Sequence, residues 1–373
     1  MGAQSTHYDI AIIGAGVAGL SAAYFLSAGA RVIVLERESQ PAYHSSGRSA
    51  AMYIEGYENV VVSELTSAGK DFFFSPPADP DGTARNHPLV KACGGLTIAG
   101  PGEEARLQKY LTTWQTHCPE LAPISTSDCL AMLPILKSDW LQAAAYDPSW
   151  HTIDVHELLT VYQRGLRQRD GALQTGVRLE SLTREAEGWQ LHTADGQISA
   201  NIVVNAAGAW ANGVAGLAGV PALPLTPLRR SAAIIPAPEG AADWPLVHTI
   251  SENLYFKPES GGLMICPQDE TPSAPVDAAP EEMDLAVAAA RFEEITDHPV
   301  TRLSHQWAGL RTFAEDRRPV VGFDPESSGF FWLAGQGGFG VQTSPALGQR
   351  VAEQILHNRP PEPELDVARY RAR

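Results

Sequence analysis

From Ile10 to Ala30 the chain runs 21 residues without a charge, and glycine interrupts that run at 14, 16, 19 and 29. The length imitates a membrane span. The glycines and the pattern around them point elsewhere. Tyr8 to Ile13 is a short, apolar, β-branched run ending in Gly14-Ala15-Gly16-Val17-Ala18-Gly19, and Leu20 to Ala28 is rich in Ala, Leu and Ser. This reads as a buried strand, a tight turn and a helix. Arg31 to Leu35 is a second buried strand closing on Glu36, so the segment is a βαβ unit. Met1 to Asp9 holds no Lys or Arg to make a signal-peptide start. Met1 to Thr6 loosely fits a myristoylation pattern, but no basic patch supplies a second anchor.

A chain of 373 residues is long enough for two to three domains and a substantial core. Its 27 Lys plus Arg against 43 Asp plus Glu leave a formal charge of −16, which repels phosphate-rich partners and excludes nucleic-acid binding. Cys93, Cys118, Cys129 and Cys266 show neither metal-finger nor disulfide-framework spacing. They fit a reducing, cytoplasmic setting without a metal site.

Gly14-x-Gly16-x-x-Gly19, set between strand and helix and followed 22 residues after Gly14 by Glu36, is a dinucleotide-binding arrangement. Gly14 allows the turn, Gly16 lets backbone approach a pyrophosphate at the helix N-terminus, and Gly19 lets helix and strand pack closely. Glu36 suits a ribose diol. The fingerprint serves NAD and FAD alike. FAD is favoured by the position of the motif and by a second glycine-rich loop, Gly335 to Gly340, which follows the apolar run Gly329 to Ala334. A flavin extends far beyond one βαβ unit and needs such a second contact, where a helix N-terminus stabilises negative charge on the reduced ring. Ser344 and Pro345 read as the cap and first turn of that later helix.

Between these ends, Glu103 to Gln115 and Val155 to Arg169 carry the helical period, the latter capped by Asp154. Ala222 to Gly262 contains short β-type runs and predicts an antiparallel sheet. Phe72 to Pro88 and Pro267 to Pro280 read as proline-rich connections, and Ile202 to Trp210 as a strand entering a small-residue turn.

The chain resembles the D-amino-acid oxidase superfamily of FAD enzymes, and within it the bacterial D-arginine dehydrogenases. The match is carried by Ile13 to Gly19, Val34 to Glu38, Tyr43 to Ala51, Val204 to Trp210, Ala215 to Val220, Arg229 to Ala232, Trp307 to Arg311 and Gln336 to Gly340. The resemblance implies an α/β fold. Its Rossmann-like FAD domain (1–84, 146–206, 310–373) is interleaved with an α+β substrate domain on a mainly antiparallel sheet (85–145, 207–309). It assigns FAD contacts to Gly14, Gly16, Gly19, Glu36, Arg37, Ser45, Ser46, Arg48, Ser49, Ala50 and Ala51. Further contacts fall on Val177, Ala207, Gly208, Trp210, Gly309, Arg311, Gly335, Gly337, Gly338, Gly340, Gln342 and Thr343.

Oxidising an α-amino acid requires a grip on its carboxylate, and a guanidinium fork is the natural one. The resemblance places Arg230 and Arg311 at that grip, with an internal salt bridge as the competing use of each. It adds Tyr255 beside the carboxylate, Tyr57 on a covering loop and Met52 near the substrate. Met52 and Gly95 replace a histidine and an acidic residue of the D-arginine dehydrogenase pattern. The implied reaction is therefore oxidative deamination of a D-amino acid with an apolar or uncharged side chain, by Cα hydride transfer to flavin N5. Glycine, sarcosine or a cyclic imino acid are the alternative substrates, and a flavoprotein without turnover is the alternative from another class. Relatives of the sarcosine oxidase type attach FAD to a cysteine after the segment matching Gly309 to Arg311. Here Thr312 to Asp316 contains none, so the flavin is expected to be non-covalent. Reduced flavin would pass electrons to oxygen or to a quinone.

Overall fold

Strand Thr6–Ile13 sits at the centre of an eight-stranded sheet because Ile10 to Ile13 are apolar on both faces and buried, as a strand covered on both sides demands. It pairs in parallel with Val32–Leu35 on one side and with Gly196–Asn205 on the other. Phe330–Ala334 extends the parallel order beyond Gly196–Asn205, and Ala172–Gln174 lies outside Val32–Leu35. The computed structural model describes residues 6–78 and 87–371. Residues 1–5 of the Met1 to Thr6 pattern and 79–86 of the proline-rich stretch before Pro88 therefore lie outside the described residues.

The uncharged run resolves as expected into that strand, a turn and the helix Val17–Leu26. The helix packs against the late helix Gly340–His357, where Gly348 brings the two backbones close: a Cβ there would stand 2.8 Å from Ser21 O. Among the described residues no helix is long and apolar enough to cross a membrane.

A nine-stranded, mainly antiparallel sheet forms the second layer. Its longest pairing joins Leu225–Pro236 to His305–Ala314, with Leu228 opposite Arg311 and Arg230 opposite Gly309. Arg230 and Arg311 are thus diagonal neighbours on one face. Tyr255–Glu259 and Gly262–Cys266 continue the sheet, placing Tyr255 opposite Cys266. A small sheet of Met52–Tyr53, His151–Ile153 and Val90–Ala92 lies apart from both. The expected edges at 145/146 and 309/310 fall inside the strands Ala143–Asp147 and His305–Ala314, both of the nine-stranded sheet.

Two local expectations need correction, and one helix was not foreseen. Helix Gly340–His357 begins before Ser344, and Pro345 lies inside it. Proline cannot donate to Val341 O, but the Ser344 hydroxyl does so at 2.9 Å, so the carbonyl keeps a partner. Phe72 to Phe74 belongs to the helix Lys70–Phe74 rather than a loop, because Phe73 is fully buried in the core of the first layer. Helix Val60–Ala68, capped by Asn59 Oδ1 accepting from Val62 N at 3.1 Å, carried too many β-branched residues to be read from periodicity.

Candidate functional site

Between the two large sheets lies a cavity of about 700 Å³, elongated from the glycine turn to the arginine pair. At the turn, Gly14 has φ +103°, and a Cβ there would stand 2.7 Å from Ala206 O. Only glycine fits both demands. A Cβ on Gly19 would meet Gly14 O at 1.9 Å, so Gly19 serves the packing of helix on strand and does not line the cavity. Gly16 caps the helix with no side-chain hydrogen bond, and the first turn holds no acidic residue, so the positive end of the helix faces the cavity. Ser46 Oγ accepts from Val17 N at 2.9 Å, tying the loop after Glu36 to this turn.

Glu36 lines the cavity, its two carboxylate oxygens accepting from Ala15 N at 2.7 Å and from Glu38 N at 2.8 Å. A carboxylate has lone pairs to spare for a ribose diol beyond these two bonds. Val177, Ala207, Gly208 and Trp210 close this end, with the Arg37 guanidinium 4.8 Å from the Trp210 ring centroid. Ser45, Arg48, Ser49 and Ala50 form the middle wall. Arg48 donates to Ala308 O and Ala278 O, both at 2.9 Å, joining this loop to the second sheet.

At the far end, Arg230, Tyr255, Gly309, Arg311, Gly337 and Gly338 line the same space. The late helix starts here at Gly340, also without a side-chain cap or an acidic first turn. Two helix N-termini therefore meet one cavity. Arg311 lies against the Gly338 backbone, where a Cβ would be 2.7 Å from its Nη1. Burial acts to push the Arg311 pKa down, yet Tyr57, Tyr255, Cys266 and Glu270 around it hold it above its ordinary value. It stays a cation. Burial, with the neighbouring Cys266, pushes the Tyr255 phenol up despite Arg311 and Arg230, so its hydroxyl remains a donor. Arg230 differs. Its Nε donates to Asp269 O at 2.7 Å and its Nη2 to Glu270 at 3.0 Å, the internal salt bridge that competed with a ligand role.

Other sequence-derived candidates stand outside the cavity wall. Ala51 is buried at φ +47°, its amide donating to Ser49 Oγ. Gly335 has φ +74° and packs on Arg318 O and Ala314 N. Gln342 bonds Ile54 N, Ile54 O and Thr66 Oγ1, and the Thr343 hydroxyl donates to Phe339 O, because both lie within the helix rather than at its mouth. Met52 and Tyr57 pack beside Ile54, Trp150 and Leu246. Gly95 is covered by the Trp150 indole, which a Cβ would meet at 2.0 Å, so an aromatic ring fills the space next to that position. Met264, Ala232 and Trp307 line the arginine end and were not singled out individually. Strand alternation places Met264 and Cys266 on the face shared with Arg230, but nothing local tells which face meets a ligand.

The geometry fits a long nucleotide lying across the two sheets, and comparison with known proteins agrees. Residues 9–354 match the DAO family, FAD dependent oxidoreductase. The chain belongs to that family, and FAD is its cofactor. It is 25% identical over 388 residues to the mitochondrial dimethylglycine dehydrogenase of Rattus norvegicus, covering 97% of this chain and 45% of the relative. The chain thus spans about half the length of such relatives. It is 26% identical to the glycine oxidase of Geobacillus kaustophilus, covering 94% and 93% of the two chains. In fold it superposes on the L-proline dehydrogenase of P. horikoshii with a TM-score of 0.83 at 21% identity, covering 99% of each.

Proposed function

We propose that this chain oxidises the amine of a small, uncharged α-amino acid, with Arg311 gripping the substrate carboxylate. The observation that supports this is the placement of a half-buried, cationic Arg311 and a protonated Tyr255 at one end of a cavity whose other end is the glycine turn. Both groups donate to an anion. The apolar neighbours Ala50, Ala232, Met264 and Trp307 exclude water there, which strengthens those bonds. No carboxylate or imidazole lines this end among the described residues, so the substrate nitrogen enters neutral and the chain supplies orientation rather than a base. FAD, when bound, supplies the two-electron acceptor. Loss of the Cα hydrogen with its electron pair, and of one proton from nitrogen, leaves an imine; water then yields the 2-oxo acid and the free amine. We read the flavin as non-covalent, since among the described residues no cysteine lines the cavity.

The finer choice lies between a D-amino acid with an apolar side chain and a glycine-type or N-alkylated substrate. The resemblance to D-arginine dehydrogenases, with Met52 and Gly95 in place of polar groups, supports the first. The glycine oxidase and dimethylglycine dehydrogenase similarities support the second. Anaerobic mixing of the FAD-loaded protein with D- and L-alanine, D-leucine, D-arginine, glycine, sarcosine, dimethylglycine and L-proline tests both, read as bleaching of the flavin band. Bleaching is expected with one class at low concentration. D-arginine ranking first, or no bleaching with any of them, would overturn the proposal.

A further inference from the structure

Arg311 is not alone in its charge. Glu270, on the loop between Cys266 and Pro280, bridges two guanidiniums: Arg230 Nη2 donates to its Oε1 at 3.0 Å, and Arg317 donates to Oε1 at 3.0 Å and to Oε2 at 3.1 Å. Glu58 pairs with the other side of Arg317. Arg311 is close enough to lower the Glu270 pKa along with Arg317 and Arg230, which outweigh the opposing effect of burial. The Asp269 carboxylate belongs to a neighbouring cluster: it accepts from Ser231 N at 2.7 Å and from the Ser231 hydroxyl at 2.9 Å and lies 4.0 Å from Nε of Arg229, which also pairs with Glu281 and Asp284. Three guanidiniums thus share two carboxylates. One positive charge remains, and it sits on Arg311, which has no ion pair among the described residues.

We infer that Glu270 sets substrate specificity by occupying Arg230, so that the clamp offers one unneutralised guanidinium and takes a monocarboxylate in preference to a dicarboxylate. A single carboxylate at Arg311 completes the neutralisation of the cluster. A second carboxylate on the same ligand would meet Arg230 already bonded and Glu270 beside it, a like charge in a partly buried place. Arg230 then acts as the ledge on which Glu270 rests, and Glu270 is a positioning and specificity-determining residue. This rests on the carboxylate-site reading above.

The test uses the FAD-loaded protein with two probes that cannot react, acetate and malonate, at pH 7.5 and constant ionic strength. Binding is read as a flavin difference spectrum and, independently, as heat by calorimetry. The native protein is expected to bind malonate about tenfold or more weakly than acetate. Glu270→Gln keeps the shape but frees a positive charge at Arg230, and should improve malonate relative to acetate by about tenfold, as one added charge-assisted contact does. Arg230→Gln in that background should abolish the gain. Native protein that binds malonate as well as acetate overturns the inference even if the variants do not fold. So does an unchanged ratio in a folded Glu270→Gln protein, with folding checked by thermal unfolding. If neither probe binds the native protein, the carboxylate site itself is wrong, and the inference falls with it.

Discussion

The two glycine-rich helix starts that meet the cavity are built in different ways. The early one, Gly14 to Gly19, packs on backbone: Ala206 O meets the Gly14 position and Gly14 O meets the Gly19 position. The late one, Gly337 to Gly340, packs on side chains, with Phe313 against Gly337 and the Arg311 guanidinium against Gly338. Backbone in a parallel sheet cannot give way, whereas the end of an arginine can. The early turn is therefore a fixed wall of the cavity, proposed to cradle the nucleotide, and the late loop is coupled to the group proposed to hold the substrate.

The largest effect that would separate these ends is loss of the cation. Arg311→Leu should lower kcat/KM about 10³-fold by removing a desolvated charge-assisted pair, while bound FAD stays near the native level. Steady-state kinetics and the flavin-to-protein absorbance ratio check both halves, and a loss under tenfold would break the division of roles. Next comes Gly14→Ala, where an added Cβ meets both a positive φ and a rigid carbonyl. Strain of roughly 1–3 kcal/mol should weaken FAD binding about tenfold to a hundredfold, read by equilibrium dialysis of the refilled protein. Its counterpart Gly338→Ala meets only the mobile end of Arg311, and should raise KM several-fold with FAD affinity unchanged. If Gly338→Ala instead strips the flavin, the contrast between the two turns disappears.

The smallest effect concerns the second sheet alone. His248 stacks on Trp150 with ring centroids 5.8 Å apart, and burial lowers its pKa from 6.5 to about 4, against a hydrogen bond to Thr249 O. The unfolded chain binds a proton near pH 6.5 that the folded chain refuses until about pH 4. Stability therefore falls as pH drops through that window, by at most about 1.4 kcal/mol per pH unit from this group. His248→Gln should flatten the dependence of Tm on pH between 7 and 5. An unchanged slope would mean that other groups carry it.

How far each end could be read beforehand follows from the same contrast. The early turn announces itself because every residue that shapes it is contiguous: β-branched strand, spaced glycines, small-residue helix, and an acid at the end of the next strand. Ser344 and Pro345 read locally as a helix start, since a serine before a proline satisfies the rules for one, whereas the helix begins at Gly340. Only the packed structure reveals Ser344 serving the carbonyl that Pro345 cannot. Gln342 and Thr343 moved from cavity to core for the same reason.

Spacing and residue type by themselves determined the parallel βαβ core, a dinucleotide as cofactor and the short list of basic residues worth attention, because these depend on contacts between chain neighbours. Tertiary structure alone decided which of those arginines is free. Arg230 and Arg311 look alike in sequence, each beside small and apolar residues, but Glu270 lies 40 positions from Arg230 and Glu58 lies 259 from Arg317. Charge neutralisation is a property of distances in space, and no local pattern records it.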